Sequence, residues 1–117
     1  MKYLVVDDSK LARLSLIKSL KSHVGDKEIF QATNGQEAID IMTKERVGVI
    51  FLDLTMPVMD GYEALPRLIE IDHKVKVVVV SADVQTKAKE KVIALGAKLH
   101  IQKPINPDKI EEILELI

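Results

Sequence analysis

Val49-Ile50-Phe51-Leu52 is an apolar run that stops at a carboxylate, Asp53, and resumes with Leu54. β-Branched and aromatic residues without polar alternation predict a strand buried on both faces, the pattern of a parallel sheet. Such a strand needs helices on either side, and the rest of the chain has to supply them. Pro57 follows Asp53 by four residues, and Asp60-Gly61 comes after it, so the chain turns there. Taken alone, Asp53 either ends a strand as a turn former or marks a site.

The flanking sequence supplies the helices. Leu4-Val5-Val6 closes on Asp7-Asp8-Ser9, a strand with a helix start behind it. Ala12, Leu16 and Leu20 recur at every fourth position with Ile17 and Val24 beside them, which predicts an amphipathic helix ending near Gly25. Glu28 to Ala32 reads as a more polar strand, suited to a sheet edge. Asn34 with Glu37 opens a helix carrying Ala38, Ile41 and Met42 inward. Asp60 caps a helix with Tyr62, Leu65, Leu68 and Ile69. Pro66 lies inside it at a cost of about 3 kcal/mol, so a bend or a short regular part is expected. Val75 to Val80 is a further buried strand, stopping at Ser81-Ala82-Asp83, and a helix from about Gln85 to Leu95 follows, ended by Gly96. Leu99 and Ile101 fit a short last strand closed by Lys103-Pro104, where a cis bond would help aim the lysine inward. Ile110, Ile113, Leu114 and Ile117 form the inner face of a final helix starting near Pro107. Five βα units without a linker predict one domain over residues 1–117, with a flavodoxin-like parallel sheet in the order 2-1-3-4-5 between two helical layers.

Composition narrows the function. A net charge of -1 and 3% aromatic residues argue against direct nucleic-acid binding. Without cysteine there is no thiolate chemistry, and His23, His73 and His100 are too dispersed for a metal-ligand motif. The N-terminus is no signal peptide, because its apolar run is three residues long and ends in two carboxylates. No apolar segment approaches a membrane span, so a cytoplasmic location is expected.

Ligands of an open parallel sheet bind beyond the carboxyl ends of its strands. Here the first strand ends in Asp7-Asp8, the third in Asp53, the fourth in Ser81 and the fifth in Lys103. In the order proposed, three carboxylates crowd one rim, and two unit charges about 5 Å apart repel by roughly 3 kcal/mol at an effective dielectric of about 20. A divalent cation relieves that repulsion, and all-oxygen ligation suits Mg²⁺. Lys103 offers a point charge for phosphate and Ser81 a hydroxyl donor. Carboxylate, cation, ammonium and hydroxyl around one oxyanion are the parts for phosphoryl transfer onto a carboxylate. Each residue also has a plain structural reading: Asp8 as a helix cap, Ser81 as a turn residue, Lys103 as a solvated loop lysine. Nothing in strand ending, however, requires these types at four separate strands.

The ordered set Leu4-Val5-Val6-Asp7-Asp8-Ser9, Leu52-Asp53-Leu54-Thr55-Met56-Pro57-Val58-Met59-Asp60-Gly61, Val80-Ser81-Ala82 and Lys103-Pro104 resembles the receiver domain of two-component response regulators, in the stand-alone chemotaxis-type form. The resemblance implies that Asp53 accepts a phosphoryl group from a histidine kinase. It implies Mg²⁺ on Asp8, Asp53 and the Thr55 backbone carbonyl, with Asp7 acting mostly through water, and Ser81 and Lys103 on the phosphoryl oxygens. It implies self-catalysed transfer and slow autodephosphorylation rather than metabolic catalysis. It also implies a switch that repacks the surface of the fourth helix, last strand and last helix toward a downstream protein. Thr55 and Asp83 would tune the lifetime of the phosphoryl group, and Asp83 equally suits a helix cap. The switch residue three before the lysine is usually Tyr or Phe and here is His100, which either rotates in its place or is simply a half-exposed strand histidine. Lys87, Lys89 and Lys91 against Glu111, Glu112 and Glu115 flank this output surface. The chain ends one helix after Lys103, so the expected output is another protein or a second copy, with the chain a monomer or weak dimer.

Other readings compete. A haloacid-dehalogenase-like phosphatase needs a second acid two residues after its nucleophile, and Thr55 stands there. A dinucleotide site needs G-x-G-x-x-G after the first strand, which is missing. A phosphorelay intermediate passing the group to a second histidine protein, and a phosphate-independent docking receiver, are the alternatives within the resemblance.

Overall fold

The computed structural model describes residues 1–25, 27–82 and 85–117. Strands β1 (Tyr3–Val6), β2 (Ile29–Ala32), β3 (Val49–Leu52), β4 (Lys76–Ser81) and β5 (Leu99–Gln102) alternate with helices α1 (Lys10–Val24), α2 (Gly35–Lys44), α3 (Gly61–Ile71), α4 (Thr86–Ala94) and α5 (Pro107–Leu116). All strand pairs are parallel, and their order is β2-β1-β3-β4-β5, as expected from the sequence. The polar β2 lies at an edge, where one side of its ladder needs no partner strand.

Alternation along each strand divides the core in two. Leu4, Val6, Ile50, Leu52, Val77 and Val79 pack with Ala38 and Met42 of α2, Leu65 and Leu68 of α3 and Val92 of α4. Tyr3, Val5, Val49, Phe51, Val78 and Val80 point the other way, onto Leu16 and Leu20 of α1 and Ile110 and Ile113 of α5. The central strands are therefore buried on both faces, which is why β3 reads as an unbroken apolar run.

Local signals set the helix starts. Ser9, Asn34, Asp60 and Asn106 each accept a hydrogen bond from the backbone N–H three residues on. Glu37 reaches back from α2 to the Thr33 N–H and hydroxyl. The cap of α1 is Ser9, so Asp8 is not needed for that purpose. One expectation changes: α3 runs through Pro66 to Ile71, so its regular part is not short. Pro66 is exposed while Leu65 and Leu68 are fully buried. Burial at about 1.5–3 kcal/mol per large side chain outweighs one lost hydrogen bond and its clash. Among the described residues, no helix is long and apolar enough to cross a membrane.

Candidate functional site

The ladder between β1 and β3 carries the chain into the site. The Asp7 N–H donates to the Ala32 carbonyl at 3.1 Å and the Asp53 N–H to the Val6 carbonyl at 2.9 Å, so both acids leave the sheet side by side. Asp7 and Asp53 are buried and Asp8 is exposed. The three carboxylates can each place an oxygen within 4.8 Å of the other two. Asp7 Oδ1 accepts from the Ser9 N–H at 2.9 Å, whereas Asp8 takes no hydrogen bond or ion pair from the described residues.

Lys103 enters from the far end of the chain. Its N–H donates to the Ser81 carbonyl, which extends the β4–β5 ladder by one residue, and its bond to Pro104 is cis. Lys103 Nζ lies 2.7 Å from Asp7 Oδ2 and 3.2 Å from Asp53 Oδ1. Ser81 is the buried last residue of β4 and pairs with Gln102. A cavity of about 110 Å³ opens beneath the acids. Val5, Leu16, Phe51, Val80 and Ile105 line it.

These surroundings set the electrostatics. Burial pushes the Asp53 carboxyl above the usual range, the charge of Asp7 adds to this, and Lys103 only partly offsets both. Burial alone would lower Lys103, but its hydrogen bond to Asp7 and the two carboxylate charges outweigh it and raise it. Three acids against one ammonium leave the rim with an excess of negative charge. An all-oxygen donor set that close together fits a hard divalent cation such as Mg²⁺.

A glycine-anchored loop follows Asp53. The Gly61 N–H donates to the Leu54 carbonyl, and a Cβ at Gly61 would overlap the Asp53 carbonyl oxygen and lie 2.8 Å from Leu54 Cα. The Gly35 N–H holds the Met59 carbonyl. Between these anchors Val58 has φ +68 and the Met59 N–H turns back to the Pro57 carbonyl at 2.7 Å, a γ-turn of the strained, positive-φ kind. Thr55 is exposed in this loop.

A family model for the response regulator receiver domain matches residues 3–115. The chain belongs to this family. Among its receiver-domain relatives, sporulation initiation phosphotransferase F of Bacillus subtilis is 37% identical, with 97% of this chain and 90% of the relative covered. The chemotaxis protein CheY of Thermotoga maritima is 32% identical over 97% and 94%. The solved chemotaxis response regulator CheY4 of Vibrio cholerae superposes with a TM-score of 0.88 at 28% identity, covering 99% of this chain and 98% of that one. A CheY from Borrelia burgdorferi, solved in a CheX-CheY-BeF3-Mg²⁺ complex, gives 0.84 at 27% identity, covering 99% and 85%.

Within this receiver fold, Asp7, Asp8, Asp53 and Lys103 meet at one rim, with Ser81 on the adjoining strand end. His100 does not join them. It pairs with Val79 in β5, and its neighbours Leu99 and Ile101 pack on the α1/α5 side, so its side chain leaves the opposite face. Its Nε2 is buried without a hydrogen-bond partner among the described residues. Asp83 lies outside the described residues. Sequence reasoning missed Arg13, whose Nη1 donates to the Asp7 carbonyl at 2.8 Å and whose Nε donates to Gln31 Oε1 at 3.0 Å. The available signal was its place one helical turn after the Ser9 cap.

Proposed function

We propose that this receiver domain is a phosphorylation-operated switch, with Asp53 taking the phosphoryl group from a histidine kinase in the cytoplasm. The observation that carries this reading is the Lys103 ammonium bridging Asp7 and Asp53 at the ends of neighbouring strands. An Asp53 oxygen forms the new P–O bond while the P–N bond of the donor phosphohistidine breaks, and the imidazole leaves with the electron pair and is protonated. Lys103 neutralises phosphoryl charge and exchanges a carboxylate partner for a phosphoryl oxygen. The Ser81 hydroxyl binds another such oxygen. Asp8, Asp53 and the Thr55 carbonyl, with Asp7 through water, would hold Mg²⁺, and the Mg²⁺ present in the Borrelia complex is consistent with this. The bound cation supplies positive charge against the acids and the phosphoryl oxygens.

The output is carried by the surface of α4, β5 and α5, with His100, on the face of β5 opposite Leu99 and Ile101, as the residue that repacks. Thr55 and Asp83 tune lifetime. The receiver domain spans residues 1–117 and presents this surface to a downstream protein. A second reading, a relay that passes the group on to another histidine protein, draws on the likeness to a protein named a phosphotransferase. It also draws on Leu11 and Leu14 of α1, 80% and 46% exposed on the helix that follows Asp7-Asp8, an apolar surface that a partner helix can cover.

Incubation with acetyl phosphate and Mg²⁺, followed by intact mass, tests the central claim. One added phosphoryl group is expected on the wild type and none on Asp53→Asn. An unmodified wild type, or equal labelling of the variant, overturns it.

A further inference from the structure

We propose that Arg13 is a positioning residue of the divalent-cation site, holding the backbone between Asp7 and Asp8 so that both carboxylates face one point. This rests on the cation site assigned above.

The hydrogen bonds around Asp7 make the case. Its N–H is held by the Ala32 carbonyl, its Oδ1 by the Ser9 N–H and its Oδ2 by Lys103. Among the described residues its carbonyl is held by Arg13, at 2.8 Å. That carbonyl lies in the planar peptide unit joining Asp7 to Asp8, so pinning it sets the direction in which Asp8 leaves the chain. The Asp8 side chain is exposed and takes no hydrogen bond or ion pair from the described residues, and the Ser9 N–H on Asp7 Oδ1 holds only its far flank. The aim of this freely ending carboxylate is therefore set through its backbone, which Arg13 holds at the peptide before Asp8 and the Asp7 carboxylate at the Ser9 N–H after it. The second arm, to Gln31 on β2, braces the guanidinium against the sheet. The Arg13 N–H is itself bonded to the Ser9 carbonyl in the first turn of α1, so the clamp stands on a regular helix.

Charge and position make opposite demands here. A guanidinium beside a cation site repels the cation, so an Arg13 that acted by charge alone would weaken binding, and its removal would tighten it. An Arg13 that positions the acids strengthens binding, and its removal weakens it. Outer-shell groups that orient ligands typically contribute about 10–100-fold to metal affinity. For an exposed, partly hydrated site the low end, about 10-fold, is expected.

The test is Mn²⁺ binding followed by the electron paramagnetic resonance signal of free Mn²⁺, with Mg²⁺ as competitor, on wild type, Arg13→Met, Arg13→Lys and Asp8→Asn. Thermal melts run alongside. Arg13→Met should raise the Mn²⁺ dissociation constant about 10-fold. Arg13→Lys keeps the charge but loses the two-armed fork, and should shift affinity in the same direction. Unchanged or tighter binding by Arg13→Met overturns the inference, and so does full recovery with lysine. If Arg13→Met does not melt cooperatively, Gln31→Leu, which removes one arm, decides by the same criterion: weaker binding supports the clamp and unchanged binding overturns it. A wild type that binds no Mn²⁺ competitively with Mg²⁺, or an Asp8→Asn that binds as well as wild type, overturns the cation site and the clamp together.

Discussion

Neutralising Asp53 should stabilise the fold while abolishing its chemistry. The magnitude follows from the site geometry. Within 4.8 Å the Asp7 charge costs Asp53 about 3.5 kcal/mol at an effective dielectric of about 20, while the exposed Asp8 is screened by solvent. The Lys103 contact at 3.2 Å returns about 5 kcal/mol on the same scale. These charges largely offset each other, and burial, the largest cause of the raised Asp53 pKa, leaves a net penalty on its charge. Asp53→Asn keeps the shape, removes the charge and leaves Lys103 with Asp7. In a domain of this size each kcal/mol of relieved penalty raises the melting temperature by roughly 3–6 °C. The assay is paired thermal and urea unfolding of wild type and Asp53→Asn in chelator. The pH dependence has a defined sign. The folded-state pKa of Asp53 is raised above its ordinary value of 3.8, so the penalty on the wild type is fully present above that raised value. It fades as pH falls and is gone below the unfolded value. The gap between the two proteins should therefore be widest near neutral pH and close in acid. Added Mg²⁺ should also narrow it, because a ligand that binds only the folded state stabilises the wild type. An Asp53→Asn that melts at or below the wild-type temperature in chelator would refute the claim that the acid rim holds repulsion in reserve for a cation.

Two backbone positions give independent tests. Gly61→Ala places a Cβ against the Asp53 carbonyl and should cost about 1–3 kcal/mol in urea unfolding. It should also slow labelling by acetyl phosphate, and a change under half a kcal/mol with normal labelling would show that the β3 end yields freely. Val58→Asn relieves a β-branched residue at φ +68 and should add about 1 kcal/mol, because left-handed backbone costs an ordinary residue roughly 1–2 kcal/mol and asparagine less. Val58 is 80% exposed, so little burial is lost, and a destabilised variant would count against the strain.

The fold was legible in the sequence because its signals are local. An apolar run such as Val49–Leu52 announces burial on both faces, and caps such as Asn34 and Asp60 announce the helices that supply it. Five such units leave one natural strand order, and that order brings the strand-ending acids together. The helix is not cut short at Pro66 because its local cost competes with burial of Leu65 and Leu68, which only the packed core makes available.

By itself, then, the sequence determined the sheet, its order and the residue types at its carboxyl rim, since periodicity and caps act over a few residues. Tertiary structure decided which acid is held and which is free. Asp7 is buried and bound on every polar atom, while its neighbour Asp8 stands exposed. It also joined Lys103 to carboxylates up to 96 residues away and turned Gly61 into a wall against the Asp53 carbonyl. Arg13 reached the Asp7 backbone across the space between helix and sheet. No spacing along the chain encodes the Lys103 contacts, because they depend on where the ends of three separate strands come to rest against each other.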